Sequence, residues 1–109
     1  MRLCKIIPVV CAAVLLAGCA SFGPVAPPVT PAMTAANGTP AATLNAGREI
    51  FSTRCTTCHN ADPVRAYDAD DWRRIVGRMA ARSKLQPAER AALLAYLTAA
   101  QEPRAQAAR

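Results

Sequence analysis

Apolar and polar positions are arranged in three ways along the 109-residue chain, and each arrangement predicts a different kind of segment. Ile6 to Ala17 is apolar apart from Pro8 and Cys11, and Arg2 and Lys5 precede it. A run of this length is too short for a comfortable membrane span and has the layout of an export signal. Ala20 to Thr43 carries no charge, and Pro24, Pro27, Pro28, Pro31 and Pro40 interrupt its small side chains. That composition buries little and resists helix, which predicts a disordered, semi-extended spacer reaching several tens of ångströms at about 3.1 Å per residue.

Beyond the spacer the spacing becomes helical. Ile50, Phe51 and Arg54-Cys55 continue a stripe in a first helix that Thr43 or Asn45 can cap. Trp72, Ile75, Val76 and Met79 recur at three- and four-residue intervals, so they share a face. Asp68 caps this second helix, and Asp70 and Asp71 suit its positive end. Gln86-Pro87-Ala88-Glu89 opens a last helix, with proline at its first position and an acid in its first turn. Leu93, Leu94, Tyr96 and Leu97 form its apolar side, and Pro103 ends it. Asn60 to Tyr67 lacks the period and contains the turn signal Asp62-Pro63. Gly47 either lets the last helix approach the first closely or is a tolerated glycine near a fraying end.

The expected architecture is all-α. A leader occupies residues 1–18 and a flexible linker residues 19–43. A domain of about three helices occupies residues 44–101, and a disordered tail residues 102–109. So short a domain usually needs a metal or cofactor as a staple. The formal net charge of +6 falls to +4 once Arg2 and Lys5 leave with the leader. The arginines form either a solvated face or a patch that steers an acidic partner. They are interleaved with apolar helix positions, with no aromatic-basic platform, so no nucleic-acid partner is expected.

The chemistry concentrates in Cys55-Thr56-Thr57-Cys58-His59, which contains the chain's one histidine. This spacing reads as a c-type haem attachment site. Each thiol can add across one porphyrin vinyl group, and the adjacent imidazole can bind the iron. Three other chemistries use a CxxC pair. A redox pair would be expected near a βαβ pattern, and no strand run is present. A structural zinc site would need a fourth ligand. A plain Cys55–Cys58 disulfide is the third. Met79 is the one methionine between residues 44 and 101, and a second histidine is lacking. Its thioether is either the sixth iron ligand or core filling, which is the usual role of a methionine on an apolar helix face.

Leu16-Ala17-Gly18-Cys19 resembles the lipobox of bacterial lipoproteins. The resemblance implies cleavage before Cys19, acylation of Cys19, and a chain anchored by lipid in the bacterial cell envelope, facing the periplasm. Two or more acyl chains anchor stably where one binds marginally. The cysteine count then closes: Cys4 and Cys11 leave with the leader, Cys19 is acylated, and Cys55 and Cys58 take haem.

Ala46-Gly47-Arg48-Glu49-Ile50-Phe51, the CxxCH run, Asp71-Trp72 through Arg78-Met79, and Leu85-Gln86-Pro87-Ala88-Glu89 to Tyr96-Leu97 resemble a small bacterial c-type cytochrome domain. The resemblance spans roughly the last 60 residues. It implies one covalent haem c, with Cys55 and Cys58 as attachment residues and His59 and Met79 as axial ligands. It also implies that Pro63 orients the imidazole through its carbonyl, and that the first and last helices cross at Gly47. His59 and Met79 are 20 residues apart, far closer than in the larger class I domains. The implied function is transfer of single electrons, without enzymatic chemistry. The implied partners are an upstream dehydrogenase or quinol-oxidising complex and a downstream oxidase or reductase. Two rivals remain: a haem-based sensor or gas-binding module with a displaceable sixth ligand, and a non-haem lipoprotein interaction module with a structural disulfide.

Overall fold

The computed structural model describes residues 24–57 and 60–101. Among them are four α-helices: α1 (Pro31–Asn37), α2 (Ala41–Arg54), α3 (Ala69–Met79) and α4 (Pro87–Ala99). A short 3-10 turn lies at Val64–Ala66, and no strand occurs among the described residues. The all-α expectation holds there, with one more helix than the three expected.

The core forms where α2 meets α4. Leu44, Gly47 and Phe51 share the buried face of α2, and Leu93, Tyr96 and Leu97 that of α4. Gly47 marks the closest approach. A Cβ there would lie inside contact distance of the Ala92 carbonyl oxygen and 2.7 Å from the Tyr96 Cβ. Of the two roles open to this glycine, the structure selects close helix approach. The expected caps at Thr43 and Asn45 fall inside α2, which begins earlier, behind Pro40. The Pro40 carbonyl accepts from the amides of Thr43 and Leu44 at 3.0 and 3.2 Å.

α3 buries Trp72 and Val76, packs on α4 and reaches α2 through Trp72. Its start is as expected: the Asp68 carboxylate accepts from the Asp71 amide at 2.8 Å. Trp72 meets Phe51 edge-to-face with ring centroids 5.7 Å apart, and its indole N–H donates to the Val64 carbonyl at 2.7 Å. An indole buried this way satisfies its one donor. α4 starts at Pro87, and the Gln86 amide donates to the Glu89 carboxylate at 2.8 Å. It ends at Ala99, short of Pro103, which lies outside the described residues.

The disordered linker expected over residues 19–43 needs correction from residue 24 onward. Thr30 caps α1, its hydroxyl accepting from the Met33 amide at 3.3 Å, and Pro31 takes the first turn, where no amide partner is lost. Gly38 closes α1 in the left-handed region at φ 63°. Met33 is 3% exposed and belongs to the core. Ahead of α1, residues 24–30 lie on the domain as a strap. Val64 donates its amide to the Val25 carbonyl at 2.9 Å. Arg48 donates to the Ala26 and Pro27 carbonyls at 3.1–3.2 Å. The Tyr96 hydroxyl donates to the Pro27 carbonyl at 2.7 Å. Proline removes amide donors from a segment and leaves its carbonyls. The domain meets that imbalance by supplying donors, which composition alone does not show.

Candidate cofactor cleft

A cleft of about 480 Å³ opens between the C-terminal part of α2, the 61–67 segment, α3 and α4. Its size falls in the usual range for small-ligand sites, roughly 300–1,000 Å³. Phe51, Tyr67, Trp72, Ile75, Leu93 and Leu97 give it apolar walls. Cys55 and Met79 both line it. Arg74, Arg78 and Arg82, spaced four residues apart and exposed, line it as well. Among the described residues the lining offers one thiol, one thioether, aromatic rings set edge-to-face, the arginine row and two carboxylates, Asp62 and Asp71, of which Asp71 pairs with Arg74. That set suits a flat apolar ligand bearing anionic groups and a soft-ligand metal.

Helix geometry accounts for the placement of both sulfurs. Cys55 directly follows the last residue of α2, one turn beyond Phe51 on the buried face. Met79 is the last residue of α3, on the Trp72–Ile75–Val76 side. Beyond it the chain turns tightly, with the Ser83 amide donating to the Met79 carbonyl at 2.9 Å and the Leu85 amide to the Ala80 carbonyl at 3.0 Å. Lys84 takes a left-handed conformation in that turn, at φ 52°.

Arg54 ties the two sides together. It donates to Glu89 at 2.8 Å, to the Ser83 carbonyl at 2.7 Å and to the Lys84 carbonyl at 2.9 Å. One guanidinium thus fixes the turn after Met79 to the helix that ends beside Cys55. Its fork of donors suits several acceptors at once, which an ammonium could not match. Sequence reasoning missed this role, because the partners lie 29–35 residues away.

Burial pushes the Cys55 thiol pKa above its ordinary value, and the neighbouring Arg54 charge opposes the shift. Tyr67 stacks edge-to-face on Trp72 at 5.2 Å and donates its hydroxyl to Asp62 at 2.8 Å. That hydrogen bond, then the Asp62 charge, raises its pKa. The Pro63 carbonyl accepts from the Ala66 amide at 2.8 Å, leaving one lone pair for a further donor.

Of the expected site residues, the structure brings Cys55 and Met79 to one cleft. Cys58, His59 and the expected lipidation site Cys19 lie outside the described residues. Searches of protein families, curated proteins and solved structures find no match to this chain.

Proposed function

We propose that the chain is a lipid-anchored monohaem c-type cytochrome that passes single electrons between redox proteins at the periplasmic face of a bacterial membrane. The observation that carries the reading is the shared cleft: Cys55 of the CxxCH run and Met79, from separate helices, line one apolar slot. Cys55 and Cys58 would hold the haem through thioether bonds, and His59 and Met79 would supply the nitrogen and sulfur that bind its iron. When bound, haem c supplies reversible one-electron iron chemistry, with a potential raised by thioether ligation and burial. Phe51 and Trp72, both buried, keep water from that slot. Arg78 and Arg82 provide countercharge for carboxylate groups at its edge, while Arg74 is paired with Asp71. In this role the chain makes and breaks no bond in a substrate. The chain positions, insulates and tunes.

The test is the visible spectrum of the oxidised and reduced protein produced with haem-maturation factors, followed by carbon monoxide addition. Expected are reduced bands of a low-spin c-type haem, the weak far-red sulfur-to-iron band when oxidised, and slow carbon monoxide binding. Met79→Ala should abolish the far-red band, lower the potential and speed carbon monoxide binding. Rapid carbon monoxide binding by the unaltered protein would favour the gas-sensing rival. A colourless protein after competent maturation would overturn the haem reading.

A further inference from the structure

Docking of the strap over residues 24–30 sets how far the domain can stand from its anchor. Four contacts hold this segment. They are the Val64 amide on the Val25 carbonyl at 2.9 Å, Arg48 on Ala26 and Pro27, Tyr96 on Pro27 at 2.7 Å, and burial of Pro27 itself. Met33, in α1 just beyond, adds a core anchor at 3% exposure. Pro24, Pro27, Pro28 and Pro31 limit the conformations this stretch has to lose, so docking costs little entropy. Arg48 and Tyr96 come from α2 and α4, which approach most closely at Gly47, so the strap docks on the pair of helices that forms the core.

We infer that the strap makes the lipid anchor a short leash, which holds the Val25–Val64 side of the domain against the bilayer surface. This rests on the reading of Cys19 as the lipidated residue. Five residues lie between Cys19 and Val25, and whatever their conformation the six steps from one to the other span at most about 20 Å. Were the chain free as far as the start of α2 at Ala41, the same anchor would let the domain stand off by about 70 Å. Val25 is the exposed large apolar side chain among the described residues, at 46%, and it sits at the anchored end. A domain held this way exchanges electrons with partners embedded in or lying on the same membrane. It does not sweep the wider periplasm.

The test uses the lipidated holoprotein, in two arms. In the first, hydrogen exchange at the Val64 amide reports strap docking without any membrane. Arg48→Ala with Tyr96→Phe should speed that exchange at least tenfold while the haem spectrum stays unchanged. An equal rate in both proteins would overturn the docked strap and the inference with it. In the second, neutron reflectometry on a supported phospholipid bilayer reads the position of the protein layer. The unaltered protein should lie directly on the headgroups, with any water gap under about 20 Å. Ten Gly-Ser residues inserted between Ser21 and Phe22 should move the layer visibly outward, because they would more than double the free leash. The double variant frees the chain only as far as α1, which Met33 still anchors, and should broaden the layer by up to about 15–20 Å. An unaltered protein whose layer is already as broad as the double variant's would overturn the inference. Failure of the unaltered protein to bind the bilayer, with the first arm positive, would overturn the lipid anchor and the leash while leaving the docked strap standing.

Discussion

Gly47→Ala probes the crossing on which the cleft is built. The added Cβ would fall 2.7 Å from the Tyr96 Cβ and inside contact distance of the Ala92 carbonyl. Carbon atoms pack at about 3.5–4.0 Å, so α2 and α4 must move apart by about 1 Å. No rotamer change relieves the clash, because the nearest atoms belong to the Ala92 backbone. Overpacking of this kind costs about 3 kcal/mol at its upper end. The gain in helix propensity on replacing glycine by alanine is about 1 kcal/mol, which leaves a net loss of about 2 kcal/mol. For a domain of this size that lowers Tm by roughly 8–16 °C. Gly77→Ala is the control. Its Cβ would meet nothing nearer than the Arg90 guanidinium at 3.7 Å, an ordinary contact. It should gain the propensity term, about 0.5–1 kcal/mol. Urea unfolding of the two holoprotein variants, followed by far-ultraviolet circular dichroism, reads both signs. A Gly47→Ala protein as stable as Gly77→Ala would refute the close crossing of α2 and α4.

Burial, opposed by Arg48, pushes the Tyr96 pKa from 10.0 up to about 12. The unfolded state loses that proton first, so this stability is full below pH 10 and is lost between about pH 10 and 12, by about 2–3 kcal/mol. Tyr96→Phe should remove that alkaline loss in pH-dependent unfolding, and an unchanged slope would show that Tyr96 is not its source. Lys84→Gly removes a side chain from the left-handed region and should raise stability by about 0.5–1 kcal/mol in thermal melts; a loss would refute the left-handed conformation of Lys84. Arg54→Ala removes the Glu89 ion pair and two carbonyl hydrogen bonds, at about 1–2 kcal/mol. By freeing the turn after Met79 it should also speed carbon monoxide binding in stopped flow, whereas a merely destabilised protein would keep the unaltered rate.

Local signals carried much of the fold. Asp68 and the Pro87–Glu89 start cap the helices they were expected to cap. The Trp72–Val76 face is buried, and the Leu93, Tyr96 and Leu97 side of α4 is core. All of these depend on neighbours within one or two helical turns. What composition hid depends on distant partners. The strap reads as a spacer because it has no charge and many prolines, yet its carbonyls find donors 21–69 residues away, on Arg48 and Tyr96. α1 escaped notice because it is a short helix that begins at a proline and buries a single methionine. The cleft was half legible. Helical spacing put Met79 beside Trp72, and the CxxCH run supplied Cys55. The clamp formed by Arg54 has no periodic signature.

The intact mass of the mature protein, produced in a host that attaches haem outside the cytoplasm, tests the central claim most directly. The account predicts the polypeptide from Cys19 onward, plus its acyl groups, plus one haem that acid and organic solvent do not remove. A compactly folded protein lacking that haem, with Cys55 and Cys58 recovered as free thiols or as a disulfide, would contradict it.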